Sequence, residues 1–420
     1  MRRLDLQETA APAPGDLPFK SLYQKETYDA PTDDGWVLQV TRYRPVRQPF
    51  AQPIFGEPLM LVPGWSQNRH AFSSGPFVKH LLYYGADVHI LELRGHGKSS
   101  RALQRERCEA EGRPVPTDLD WGWDLDSYFL HDVPAGVRAV KERTGRDRIV
   151  YLGNSMGGML GYGYAGSHDD LAGLITIGAP SELGRGFWPL RVVAHLGPAM
   201  VGPLLDALFS AARGADAIRH GAASLLRKLR WLASAADRLA AEGSRPRDLR
   251  FRHVPMDAML RGLASVASDR NLRAWEKVAR HWTLMISPAR VTADDFRWLL
   301  REGGEKEPRG VVEELARWIR GDEMKCYRTG YDFKAHFKDV TVPLAVIFGG
   351  LDRIASADST QGIYREARSE YLLWRPVRDN SHLDLTLGYD IHQTCEDVKN
   401  LVEYAAARRA RSRPRPVAAL

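Results

Sequence analysis

The sequence predicts an α/β protein: a mostly parallel, doubly wound sheet with one helical insertion between two of its strands. Short apolar runs, each followed within a few residues by glycine, recur through the first 180 residues. Stretches of helical spacing separate them, and the alternation stops near Ser181 and resumes at Pro343. Strands of a parallel sheet read as continuous apolar runs because helices cover both faces. Strand–helix–strand alternation in turn implies parallel pairing through crossovers.

Residues 1–20 are polar and rich in Ala and Pro, and are read as a loose leader. Met1–Pro18 has two arginines but no apolar stretch, so it does not read as a signal peptide. Alternation begins at Tyr28, and Gly35-Trp36-Val37-Leu38-Gln39-Val40-Thr41 after Asp33-Asp34 reads as one arm of a hairpin. Buried strands are then expected at Leu59–Val62, Val88–Leu91, Ile149–Leu152 and Leu174–Ile177, with a helix over Asp132–Arg143. From 181 to 339, Leu, Ala, Arg and Trp recur at helical spacing with no clear strand, which predicts a helical cap over the strands' C-terminal ends. Strands return at Pro343–Phe348 and Tyr371–Trp374, and a helix over Gln393–Ala407 closes the fold. The core is thus expected in 21–180 and 340–407, with a basic, disordered tail over 408–420.

Composition narrows the function classes. Of 420 residues, 44% are apolar and 26% charged, as in ordinary soluble globular proteins. The net charge of +7 raises the question of nucleic acid. Basic residues crowd near 227–252 and in Arg408, Arg409, Arg411, Arg413 and Arg415, but no nucleic-acid-binding motif accompanies them. They are read as a solvated surface, or as a transient contact with an anionic membrane surface, and nucleic acid is not expected as a partner. Cys108, Cys326 and Cys395 are too scattered for a disulfide framework or a zinc site, and read as inert thiols. The apolar stretch Leu190–Phe209 contains Arg191, His195, Pro198 and Pro203, which makes it a poor membrane span. A soluble, cytoplasmic protein is the expectation.

Gly153-Asn154-Ser155-Met156-Gly157 directly follows an expected strand and precedes a helix-compatible run. That context makes it a nucleophile elbow, a strained strand-to-helix turn that exposes the serine and demands small neighbours such as Gly153 and Gly157. A serine hydroxyl is a weak nucleophile at neutral pH and needs a base. In this arrangement an acid follows a later strand and a histidine follows the last one. Asp352 in Gly349-Gly350-Leu351-Asp352 and His382 in Asp379-Asn380-Ser381-His382 stand at those places. Asp379 and Asp384 are nearer to His382 in sequence, but Asp352 has the right strand before it. A tetrahedral oxyanion needs two backbone donors. The N–H of Met156 is one, and the N–H of Trp65, in Pro63-Gly64-Trp65-Ser66, is the other.

Gly97-Lys98-Ser99 has the ending of a phosphate-binding loop, but the glycine that motif needs at position 92 is Glu92. His96 is therefore read as structural. In the insertion, Leu225, Leu229, Leu232, Ala236 and Leu239 form one stripe, with Arg227, Lys228 and Arg230 off it. This is a helix packed on the core with a solvated basic face, or a lid whose apolar side meets acyl chains. Trp188, Trp231, Trp275, Trp282, Trp298 and Trp318 could line such a pocket or lie in the core.

Together these residues resemble the α/β-hydrolase superfamily, and more narrowly its acid and gastric lipase group. The likeness lies in Asp34-Gly35-Trp36-Val37-Leu38, Pro63-Gly64-Trp65, His131-Asp132-Val133-Pro134-Ala135, Asp147 to Gly158 and His382-Leu383-Asp384-Leu385-Thr386-Leu387-Gly388. It covers about 28–180 and 340–405 and little of the cap. The chain departs from that group in having Pro63-Gly64 where His-Gly is usual, and Gly-Asn-Ser-Met-Gly where Gly-His-Ser-Gln-Gly is typical. Polyester synthases share the scaffold but carry cysteine at the position of Ser155. Ser155, His382 and Asp352 lead to the expectation of a serine hydrolase for carboxylic esters with an apolar acyl group, acting on a small-molecule ester or lipid-like substrate through an acyl-serine without metal or organic cofactor. An acyltransferase or thioesterase would use the same acyl-Ser155, and a non-catalytic ligand-binding protein would keep only the fold.

Overall fold

The computed structural model describes residues 23–46, 56–185, 252–264, 267–268, 270–271 and 285–412. Ten strands run in chain order: β1 (Tyr23–Pro31), β2 (Val37–Pro45), β3 (Leu59–Val62), β4 (Val88–Glu92), β5 (Ile149–Asn154), β6 (Leu171–Ile177), β7 (His253–Val254), β8 (Glu307–Pro308), β9 (Leu344–Gly349) and β10 (Leu372–Val377). Eight of them form one sheet in the order β1-β2-β4-β3-β5-β6-β9-β10. The pairs β1–β2 and β2–β4 are antiparallel, and the rest of the sheet is parallel.

The parallel strands are short because they are buried on both faces. In β5, Ile149 and Tyr151 join one apolar cluster while Val150 and Leu152 join the other, as the two-residue period of a strand requires. The helices Val133–Thr144 and Met156–Ser167 contribute to the first cluster, and Phe77–Tyr83 and His392–Ser412 to the second. The winding direction reverses at β3, which pairs with β4 on one side and β5 on the other. In open α/β sheets the crevice beyond the carboxyl ends of two such strands is where ligands bind. The loop from Pro63 and the turn at Ser155 both start there.

The expected strands and the closing helix are all present, with differences at their ends. The hairpin begins at Tyr23, five residues before alternation becomes readable, because the outer arm β1 is half-exposed and its pattern is polar. The closing helix runs on to Ser412, so Arg408, Arg409 and Arg411 stand on a helix rather than in a tail, and Arg409 pairs with the buried Glu57. In the insertion, β7 and β8 form a two-residue antiparallel pair where no strand was expected, too short to leave a periodic signal. Its described helices are Met256–Ala264, Ala293–Glu302 and Arg309–Gly321. Trp318 is buried and Trp298 is 51% exposed. The stripe from Leu225 to Leu239 and Trp188, Trp231, Trp275 and Trp282 lie outside the described residues. Among the described residues no helix is long and apolar enough to cross a membrane. Cys108, Cys326 and Cys395 are buried and unbridged.

Candidate active site

The turn at the end of β5 is shaped by contacts that only glycine permits. A Cβ on Gly157 would lie 2.3 Å from the carbonyl oxygen of Val62 and 2.6 Å from that of Pro63, and one on Gly153 would lie 2.4 Å from the Gly157 carbonyl oxygen. Strand and helix can cross this closely because neither position carries a side chain. Ser155 sits between them at φ 49° and ψ −118°, a left-handed conformation that a non-glycine residue adopts only when its surroundings impose it. Its N–H is held by the carbonyl of Ile177 at 2.9 Å. Buried residues flank it on both sides, whereas Ser155 itself remains partly exposed.

The loop after β3 lies against this serine. A Cβ on Gly64 would stand 3.0 Å from the Cβ of Ser155 and 3.2 Å from the side-chain oxygen of Asn154. Met156 opens the helix Met156–Ser167, so its N–H belongs to the first turn, where no intrahelical acceptor exists and the helix dipole favours negative charge. Trp65, its neighbour Ser66 and Met156 therefore border the same end of β3 and β5.

On the other side, His382 Nδ1 lies 2.7 Å from Asp352 Oδ2. The other carboxylate oxygen, Oδ1, accepts the N–H groups of Ile354 and Ala355, both at 2.8 Å. A carboxylate so placed accepts from Nδ1–H and leaves Nε2 as the free nitrogen of the ring. The imidazole packs on Gly178, at φ +57°, where a Cβ would come within 3.2 Å of the ring. Gly178 follows Ile177, whose carbonyl holds the N–H of Ser155, so His382 and Ser155 flank one strand end. Burial disfavours charge on the ring, but the carboxylates of Asp352 and Asp384 outweigh it and raise the pKa of His382 above 6.5.

The two rival acids do other things. Asp384 accepts the N–H groups of Ser381 and Ser287, and burial pushes its carboxyl up to about 7 against those bonds. Asp379 pairs with Arg290 at 2.9 Å. His96 is buried with Nε2 3.4 Å from Glu307, as befits a structural role. Glu92, which breaks the phosphate-loop pattern, fills the turn it follows: it accepts the N–H of Lys98 and leaves no room for a Cβ at Gly97.

Sequence reasoning did not single out Glu305 or Glu307. They reach the Pro63–Ser66 loop from 239 and 241 residues away, and no local spacing signals such a contact. Among the described residues, Asp33, Asp34 and His131 bring three ligand-type atoms within 4.8 Å of one another. They lie at the hairpin turn, where Arg94 engages Asp34 and His131 pairs with Asp33, an arrangement that satisfies itself.

A family model described as alpha/beta hydrolase fold matches residues 57–200. A putative lysosomal acid lipase/cholesteryl ester hydrolase from Crotalus adamanteus is 27% identical over 147 residues, 33% of this chain and 34% of that protein. Lipase member M from Homo sapiens is 29% identical over 147 residues, 33% of this chain and 32% of that protein. A tear acid lipase-like protein from Mesocricetus auratus is 23% identical over 156 residues, 37% and 38% of the two chains. The chain thus spans about a third of the length of the relatives it matches. The mostly parallel sheet in this order is that of an α/β-hydrolase fold, and over the matched third the chain is similar to these lipases.

Proposed function

We propose that this protein hydrolyses carboxylic esters with an apolar acyl group through an acyl-serine intermediate. Ser155 attacks the ester carbonyl while Nε2 of His382 takes its proton. Asp352 holds Nδ1–H and so fixes the ring's tautomer and orientation. The N–H groups of Met156 and Trp65 receive the oxyanion, the alcohol leaves with the proton from His382, and water then releases the acid. The observation that carries this reading is the left-handed, partly exposed Ser155 at the same sheet end as a buried histidine bonded to a fully held carboxylate. Three relatives named as lipases add support for an ester-type substrate.

Labelling with a fluorescent fluorophosphonate, alongside hydrolysis of p-nitrophenyl esters from short to long chains, tests it. Wild type should label and turn over, and Ser155→Ala should abolish the label and lower kcat by about 10⁴-fold or more. Activity that survives this substitution would end the proposal. Product analysis with added alcohol separates hydrolysis from acyl transfer.

A further inference from the structure

The insertion delivers a buried carboxylate to the loop that carries the Trp65 N–H. Ser66, at φ 59°, is a non-glycine residue in the left-handed region, and all three of its polar groups are taken by the insertion. Its N–H donates to Glu307 Oε1 at 2.5 Å, its hydroxyl donates to the Glu305 carbonyl, and its carbonyl accepts the Glu305 N–H at 2.9 Å. Gln67 continues the contact as an antiparallel bridge to Gly304, and Asn68 donates its N–H to the Gly303 carbonyl.

These bonds act on the peptide that matters. The Gly64 carbonyl accepts the Gln67 N–H at 3.3 Å, and in a trans peptide the N–H of Trp65 then points the opposite way. The direction of that donor depends on Ser66 and Gln67 keeping their conformation, which has no glycine to make it easy. Glu307 is itself fully buried, and a buried carboxylate persists only when bonded. Beyond Ser66 it accepts from the Tyr128 hydroxyl at 3.1 Å and faces His96 Nε2 at 3.4 Å, both fully buried. Burial opposes charge on His96, while Glu307, Glu305 and Asp132 raise its pKa.

We propose that Glu307 is a positioning residue: from the insertion, it fixes the Gly64–Gln67 turn so that the Trp65 N–H points at the developing oxyanion. The inference rests on the reading of Ser155 as nucleophile and the Trp65 N–H as an oxyanion donor. Since an oxyanion forms only in the transition state, loosening this turn lowers kcat and leaves KM nearly untouched.

Steady-state kinetics on p-nitrophenyl butyrate tests it with matched variants. Glu307→Asp keeps the charge beside His96 but retracts the carboxylate from Ser66. Its kcat should fall about tenfold or more with KM within about twofold, part of the about 10²–10³ lost when an oxyanion donor is removed outright. Glu307→Gln, whose amide oxygen can still accept the Ser66 N–H, should restore most of kcat. Glu314→Asp is the control: Glu314 is a buried carboxylate of the same insertion, but it accepts the N–H groups of Leu125 and Asp126 instead. It should leave kcat unchanged even where Tm drops. Wild-type kcat in Glu307→Asp, or an equal loss in Glu314→Asp, would overturn the positioning role while ester hydrolysis stood. A wild type that neither labels nor turns over would overturn the hydrolase reading and this inference with it.

Discussion

At the scale of single residues, the proposed chemistry rests on how His382 is held. Its ring is buried, which by itself would make it a weak base, and the carboxylate of Asp352 at 2.7 Å reverses that. A general base must be neutral to act, so kcat/KM should rise with pH through an apparent pKa above 6.5. In Asp352→Asn the charge that raises this pKa is gone while burial remains. The acid limb should move to lower pH, and the plateau should fall by about 10⁴-fold. A pH–rate profile of both proteins checks this, and an unmoved limb would mean that another group sets it. The small residues around Ser155 were partly legible at this scale. Gly153 is small for a reason local to the turn, a 2.4 Å approach to the Gly157 carbonyl oxygen, whereas Gly157 is small because the Val62 and Pro63 carbonyl oxygens of another strand end come within 2.3 and 2.6 Å. The selection of Asp352 over Asp379 and Asp384 was read from strand order, and the three aspartates differ in the structure by what each one's oxygens accept.

Elements are tied together by one buried cation. Arg94, directly after β4, donates through its Nε to Asp132 at 2.8 Å and through one terminal nitrogen to Asp34 at 2.7 Å and Asp118 at 2.8 Å. It thereby joins the hairpin turn, the loop before Trp121 and the π-helical turn Tyr128–Asp132 that leads into the helix Val133–Thr144. Arg94 and Asp132 are both fully buried, so removing the cation leaves a carboxylate without compensation. Arg94→Met should lower the unfolding free energy by about 3–5 kcal/mol in urea titrations. A loss under about 1 kcal/mol, the range of exposed pairs, would mean that these turns hold themselves. None of this was legible in the sequence, where Arg94 is one of many arginines. The sequence reading of this segment went no further than a structural His96.

For the whole molecule, the insertion docks on loops that follow strand ends, at widely separated points. The segment Glu302–Glu307 grips residues 66–68 and 97, Glu314 caps the backbone at Leu125 and Asp126, and Met285–Ser287 joins Leu383 and Asp384 beside the histidine. The last junction carries a pH signature. Asp384 has a carboxyl pKa of about 7 in the fold against 3.8 ordinarily, so between those values the native state binds more protons than the unfolded chain. Stability from this group is present at low pH and is lost as pH rises toward 7. Asp384→Asn does not titrate, so the difference in Tm between variant and wild type should shift in the variant's favour from pH 4 to pH 7. A difference independent of pH would refute the assignment.

The sequence alone determined the fold class, where the parallel strands fall along the chain and the small residues around Ser155. Each of these is a local signal: an apolar run of strand length, a glycine where two backbones cross, a serine at the turn between them. Tertiary structure decided what the oxygens of Asp352 accept, how Ser66 is held in its left-handed turn and which loop Glu307 reaches. Those depend on side chains that meet across 30 to more than 200 residues, and burial, which sets both the cost of a lone charge and the strength of a paired one, exists only once the chain has packed.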